Sequence, residues 1–183
     1  MRAFLAIEIS HDVKQYLKTI AKAMAMNIDG VKWVKEAAQH LTLKFFGEIE
    51  EEKVSMIKES MLHIERSHAL FIATIKGIDG FPDRRRARVI VITLENGVDN
   101  IKNIYNDIEE SISTLGIERE NRPFTPHITL GRRKVPGPIP DKALVNIEKM
   151  SFNVDSVVLF KSTLRPEGAI YTPVWEIKLR GSE

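Results

Sequence analysis

Apolar positions recur along the chain at two periods, and the alternation between them predicts most of the elements. The run Ala3 to Ile7 is apolar without interruption and predicts a strand over 2–9. Ser10 then offers an N-cap, and Asp12 falls in the first turn, where negative charge is stabilised. Val13, Leu17, Ile20 and Met24 follow at spacings of four, three and four, one face of an amphipathic helix that Asp29-Gly30 ends. Short strands are predicted at Lys32–Val34 and His40–Phe46. A second helix over 50–67 has Val54, Ile57, Met61 and Ile64 as its buried stripe and Glu50, Glu51 and Glu52 at its N-terminal end. Strand runs follow at Leu70–Ile75 and Arg88–Leu94. Val98, Ile101, Ile104, Tyr105, Ile108, Ile112 and Leu115 make the clearest helical stripe, stopped by Gly116. A strand at Thr125–Gly131, a loop with Pro136, Pro138 and Pro140, a short helix near 141–149 and strands at 151–163 and 171–180 complete the reading.

The order is therefore β, α, β, β, α, β, β, α, β, α, β, β. Helices do not separate every strand, so a purely parallel sheet is not expected. The pattern predicts an α+β fold of mostly antiparallel sheets with helices outside. With 183 residues the chain is long enough to bury about 70% of its unfolded surface without staples. That length suits one domain, or two lobes sharing a core.

Composition narrows the chemistry. There is no cysteine, which excludes a disulfide scaffold, a thiol nucleophile and a cysteine metal site. A net charge of +2 is too weak for a purely electrostatic nucleic-acid binder. The first apolar run is too short for a signal-peptide core or a membrane span, so the expectation is a cytoplasmic, monomeric protein that does not bind membranes.

One internal echo stands out. His40-Leu41-Thr42-Leu43 and His127-Ile128-Thr129-Leu130 are near copies, close to half the chain apart. Side chains alternate faces along a strand, so in each copy His and Thr point one way and the apolar pair the other. Two copies in two halves suggest two pseudo-symmetric lobes, residues 1–183 forming one bilobal domain with a central cleft between the sheets. If the strands face each other, two imidazoles and two hydroxyls meet in one space. Histidine titrates near neutrality, so one ring can accept a proton while the other donates one. Displacement at phosphorus needs that pair, plus donors for the equatorial oxygens. His11, His63 and His68 have no such context.

HLTLKFFGEI at 40–49 and PFTPHITLGRRK at 123–134 resemble the paired motifs of the two-histidine phosphoesterase superfamily. RAFLAIEIS at the start and VKW at 31–33 are similar to its RNA 2′,3′-cyclic phosphodiesterase branch, also called 2′-5′ RNA ligases. The likeness runs over nearly the whole chain. It implies metal-independent and cofactor-independent hydrolysis of a terminal 2′,3′-cyclic phosphate to a 2′-phosphate. It also implies an ATP-independent reverse-type joining of RNA ends such as tRNA halves. On this resemblance His40 is the proton donor to the leaving 3′ oxygen, His127 is the proton acceptor that activates water, and Thr42 and Thr129 hold the phosphate. The spacing itself is symmetric and does not choose between the two histidines.

The second motif has a basic flank, with Arg119, Arg122, Arg132, Arg133 and Lys134 against the single anion Glu120. Strict alternation sends Arg133 to the His127 face; a bulge at Gly131 would hand that place to Arg132, the position the resemblance implies as a phosphate contact. Arg84 and Arg85, in a turn after Phe81-Pro82, are candidates for RNA contact with Arg133 and Lys134. Trp33, Phe45, Phe46 and Phe124 are candidates to stack on a base. No phosphate-loop or dinucleotide motif is present, and Lys76-Gly77-Ile78-Asp79-Gly80 reads as a turn rather than a nucleotidyl-transfer site. The alternatives are a non-catalytic RNA-end binding module and a phosphodiesterase for a small cyclic nucleotide or an ADP-ribose cyclic phosphate.

Overall fold

The computed structural model describes residues 1–181. Among these residues nine strands form two sheets in which every named pairing is antiparallel. The elements are β1 (Arg2–Ile7), α1 (His11–Ala25), β2 (Val31–Trp33), β3 (Leu41–Glu48), α2 (Glu51–Ser60), α3 (Ile64–Ser67), β4 (Phe71–Phe81), β5 (Ala87–Asn96), α4 (Val98–Ser113), β6 (His127–Gly137), β7 (Ser151–Val154), β8 (Ser156–Arg165) and β9 (Gly168–Lys178). One sheet runs β3-β1-β8-β9 and the other β2-β6-β5-β4-β7. The fold is α+β, and each sheet carries one of the two tetrapeptides.

The sheets do not coincide with the halves of the chain. β2 joins the sheet built mostly from the middle of the sequence, and β8 and β9 return to the sheet begun by β1. β1 is central in its sheet and apolar on both faces. Ala3, Leu5 and Ile7 belong to the main core, whereas Phe4 and Ala6 form a small second cluster with Val158 and Phe160 on the opposite face. The stripes of α1 and α4 join the main core with Ile90, Ile92, Ile128 and Leu130. These four point away from the His127 face.

Local chemistry sets the helix ends. Ser10 accepts a hydrogen bond from the Val13 N–H at 3.4 Å, capping α1 as its sequence suggests. After α4 the chain turns out at Gly116, whose φ of 73° suits a residue without a β-carbon, and the Ile117 N–H donates to the Ile112 carbonyl at 3.3 Å.

Three predicted elements differ. The helix over 50–67 is interrupted, because its N–H groups begin to bond three residues back at Met61, tightening the turn before α3. Its apolar stripe continues through the break, which is why periodicity does not see it. The short helix near 141–149 is only a 3₁₀ turn, Asp141–Ala143. This connector carries the chain from β6 past β5 and β4 to the far edge of the sheet, about three strand spacings of 4.8 Å. Its Ala143 and Leu144 N–H groups bond three residues back, to the Pro140 and Asp141 carbonyls, and no further helical turn follows. The strand over 151–163 is two strands in different sheets, parted at Asp155, where the chain crosses from one sheet to the other. Among the described residues no helix is long and apolar enough to cross a membrane.

Candidate active site

The two motif strands carry the same irregularity. Ala6 pairs with Thr42 and Leu5 with Lys44, which leaves Leu43 without a partner in β3. Val91 pairs with Thr129 and Ile90 with Gly131, which leaves Leu130 without one in β6. Each tetrapeptide therefore ends in a bulge at its fourth residue. A bulge adds one residue and resets the alternation downstream. In β3 the residues sharing a face are then Thr42, opposite Ala6, and Phe45, opposite Phe4. In β6 they are Thr129, opposite Val91, and Arg132, opposite Val89. Phe45 and Arg132 both stand five residues after their histidine. Gly131 allows this course because a β-carbon there would lie 2.5 Å from Val31 Cγ1 and 3.1 Å from Trp33 Cε3.

A cleft of about 500 Å³ opens between the strands. Thr42, His127, Thr129 and Arg132 all line it, together with Phe45, Phe81, Tyr105 and Phe124. That volume is within the usual range for a small-ligand site. His40 does not line the open part of the cleft. It precedes Thr42 by two residues and is 7% exposed. Its ring lies 4.6 Å from Phe160, 5.6 Å from Tyr171 and 6.2 Å from Phe4 between centroids. Phe4 and Phe160 belong to the β1–β8 cluster, so His40 sits in an aromatic box against that sheet, two residues before the cleft residue Thr42.

The electrostatics differ between the two rings. Burial, and after it the nearby Lys14 ammonium, lower the His40 pKa to about 4 against the opposing pull of the Ala38 backbone. The His40 Nδ1 is nevertheless buried without a well-directed hydrogen bond. His127 is also lowered, first by burial and then by Arg132, against the opposing pull of the Thr125 carbonyl. Its Nδ1 lies 2.7 Å from the Thr125 oxygen, which can only accept, so Nδ1 carries the hydrogen. The neutral ring then keeps its lone pair on Nε2. Phe81 meets the same ring edge-on at 4.8 Å.

A buried ion pair braces the cleft wall. Lys44 Nζ lies 2.8 Å from Glu109 Oε1, with side-chain exposures of only 10% and 6%. Lys44 also donates to the Glu118 carbonyl at 3.0 Å, and Glu109 accepts from the Glu120 N–H at 2.9 Å. One strand, one helix and the 118–120 loop are thereby tied together next to Phe124, which stacks on Tyr105 at 4.1 Å. Neither Lys44 nor Glu109 is marked by sequence pattern, since their partnership is visible only in three dimensions.

The other candidates fall elsewhere. Arg84 donates to the Ile78 carbonyl at 2.9 Å and lies 3.6 Å from Asp79. Arg133 donates to the Pro138 carbonyl at 3.0 Å. Arg85 and Lys134 are exposed and outside the cleft lining. Trp33 and Phe46 pack on the main core, whereas Phe45 is 64% exposed at the cleft. The equal offset of Phe45 and Arg132 from their histidines was the available sign of its place.

One imidazole, two hydroxyls and the guanidiniums of Arg122 and Arg132 line a small cleft, with a second imidazole buried two residues from Thr42, an arrangement suited to acid–base chemistry on an oxyanion. The model of the family described as LigT like Phosphoesterase matches residues 7–91 and again 92–171. The chain belongs to this family. It is 34% identical to the RNA 2′,3′-cyclic phosphodiesterase of Thermotoga maritima, over 99% of this chain and 97% of that one. It is 35% identical to the protein of the same name from Methanocaldococcus jannaschii, over 96% and 99%. A crystal structure of a Thermus thermophilus protein superposes with a TM-score of 0.83 at 27% identity, covering both chains fully. The fold of Escherichia coli LigT, crystallised with 3′-AMP, is shared at a TM-score of 0.76 and 24% identity, with 97% of each chain covered.

Proposed function

We propose that the chain is an RNA 2′,3′-cyclic phosphodiesterase that opens a terminal cyclic phosphate to a 2′-phosphomonoester, both sheets serving one bilobal unit around the cleft. The observation that carries the reading is the convergence of Thr42, His127, Thr129 and Arg132 on one cleft, with His40 two residues from Thr42. Full-length relatives bearing that name support the choice of substrate.

The neutral His127, its Nδ1–H held by the Thr125 carbonyl, presents Nε2 to a water molecule and takes its proton as the oxygen attacks phosphorus. The P–O3′ bond breaks, and His40 supplies the proton that the leaving 3′ oxygen needs. Burial keeps the free His40 ring neutral, so it is charged when the phosphate anion enters; the anion raises the pKa of an adjacent imidazole. A ring with an intrinsically low pKa is then a strong acid. Thr42 and Thr129 donate hydroxyl hydrogens to the equatorial oxygens, and Arg132 neutralises the charge that accumulates there. Phe45, exposed opposite Arg132 in offset, offers the terminal base a face to stack on. If the 5′-hydroxyl of a second RNA takes the place of water, the same proton transfers make a 2′-5′ linkage without ATP.

The test is incubation with an oligoribonucleotide ending in a 2′,3′-cyclic phosphate, in the presence of EDTA. The expected product is a 2′-monoester formed at an undiminished rate. A 3′-monoester, or no product from the wild-type protein, would overturn the reading.

A further inference from the structure

Arg132 does not stand alone on its rung of the sheet. β2 pairs with β6 so that Lys32 is directly opposite Arg132, with Val31 opposite Arg133 and Trp33 opposite Gly131. Val31 and Trp33 pack against the main core. Lys32 lies between them in the strand and is exposed, so it projects to the other face, the one Arg132 shares with His127 and Thr129. Directly opposed residues of an antiparallel pair have β-carbons about 5 Å apart, and like charges so placed repel. Among the described residues neither Lys32 nor Arg132 has an ion-pair partner. The other strand neighbour of Arg132 is Val89, which offers no anion. Two cations are thus held on neighbouring strands, Arg132 in the cleft lining and Lys32 next to it outside that lining, with no ion-pair partner for either among the described residues.

We propose that Lys32 and Arg132 form a two-phosphate ledge: Arg132 serves the terminal cyclic phosphate, and Lys32 binds the phosphodiester on the 5′ side of the terminal nucleotide. This extends the cyclic-phosphodiesterase reading and rests on it for the position of the reacting phosphate. Adjacent strands are about 4.8 Å apart, so long, flexible Lys and Arg side chains on one rung can reach two successive phosphates of a single strand. The ledge makes the preferred substrate single-stranded RNA rather than a mononucleotide. It leads the chain out over β2, away from the Arg84 and Arg85 turn.

The experiment compares wild type, Lys32→Ala and Lys32→Arg on two substrates. One is a nucleoside 2′,3′-cyclic phosphate with a 5′-hydroxyl, and the other is an oligoribonucleotide ending in the same group. Lys32→Ala should lower kcat/KM roughly fivefold on the oligonucleotide at low salt and leave the mononucleotide unchanged, and Lys32→Arg should restore the difference. Loss of one phosphate contact should also reduce the salt slope of the oligonucleotide reaction by about 0.7. Equal rates for wild type and Lys32→Ala, or equal losses on both substrates, would overturn the ledge. Binding of a fluorescent oligonucleotide ending in a 2′-phosphate is measured alongside. If wild type turns over neither substrate, the functional reading fails on its own. The ledge is then judged by whether Lys32→Ala weakens binding and flattens its salt dependence.

Discussion

The strand carrying His40 and the strand carrying His127 share a tetrapeptide, a bulge at its fourth residue and a face, yet they hold their imidazoles differently. His127 is tethered through Nδ1 to a carbonyl and has a guanidinium beside it. His40 is enclosed by Phe4, Phe160 and Tyr171, with no hydrogen bond to fix its tautomer. Five residues on, one strand presents Arg132 and the other Phe45. A repeated motif thus sets positions, and the surrounding sheet sets roles. The tethered ring is prepared to accept a proton in the free protein. In the proposed reaction the enclosed ring becomes an acid once an anion shares its box. The cation and the aromatic ring make the two sides of the cleft unlike, and the proposed function assigns them to phosphate and base.

The largest effect is expected from removing either imidazole. His40→Ala and His127→Ala should each lower kcat by roughly a thousandfold with little change in KM, as positioned acid–base groups do. Steady-state rates on a cyclic-phosphate oligonucleotide would show it, and unchanged rates in either variant would break the comparison. Lys44→Met comes next. It leaves Glu109 buried without its counter-charge and should cost about 4 kcal/mol of stability, read from urea unfolding.

The third prediction concerns pH. The His40 pKa is about 4 in the folded protein against 6.5 for a free side chain, and that of His127 is lowered too. The unfolded chain therefore binds more protons in this interval, and stability falls as pH drops from 6.5 towards 4. The His40 contribution is about 3 kcal/mol, fully present above the upper limit. Unfolding free energies across this range should flatten in His40→Gln and keep a remaining slope from His127. A wild-type curve without this acid-side fall would remove the buried, neutral His40 from the account.

Smaller effects separate the two sides of the cleft. Thr42→Val and Thr129→Val should each slow kcat about a hundredfold by removing a donor to the charged oxygens. Phe45→Ala should raise KM roughly tenfold with kcat nearly unchanged, the loss of one stacked base. Arg132→Ala should instead lower kcat as well, because its partner is the reacting group.

Much of this was legible in the sequence. The alternation around His40 and His127 gave both the shared face and the apolar anchors, and the stripes of α1 and α4 gave the helices that cover the opposite face. Placing Arg132 on the His127 face needed the bulge, for which Gly131 was a hint and the pairing with β5 the observation. The asymmetry of the histidines was not legible, because Phe4 and Phe160 reach His40 through β1 and β8, distant in the chain. The same holds for the Lys44–Glu109 pair. The strand that splits at Asp155 was hidden because Phe152–Val154 and Val157–Phe160 both read as strand with only Asp155-Ser156 between them. The connector near 141–149 has helical spacing, yet only one 3₁₀ turn of hydrogen bonds forms there.

The donor and acceptor roles are tested most directly by a substrate whose leaving 3′ oxygen is replaced by sulfur. A thiolate, with a pKa near about 8.5 as in cysteine, departs without a proton, so the acid becomes dispensable while the base does not. On a 2′-O,3′-S-cyclic phosphorothiolate, His40→Ala should recover most of the wild-type rate and His127→Ala should stay slow. Recovery in His127→Ala with none in His40→Ala would reverse the roles and contradict the account.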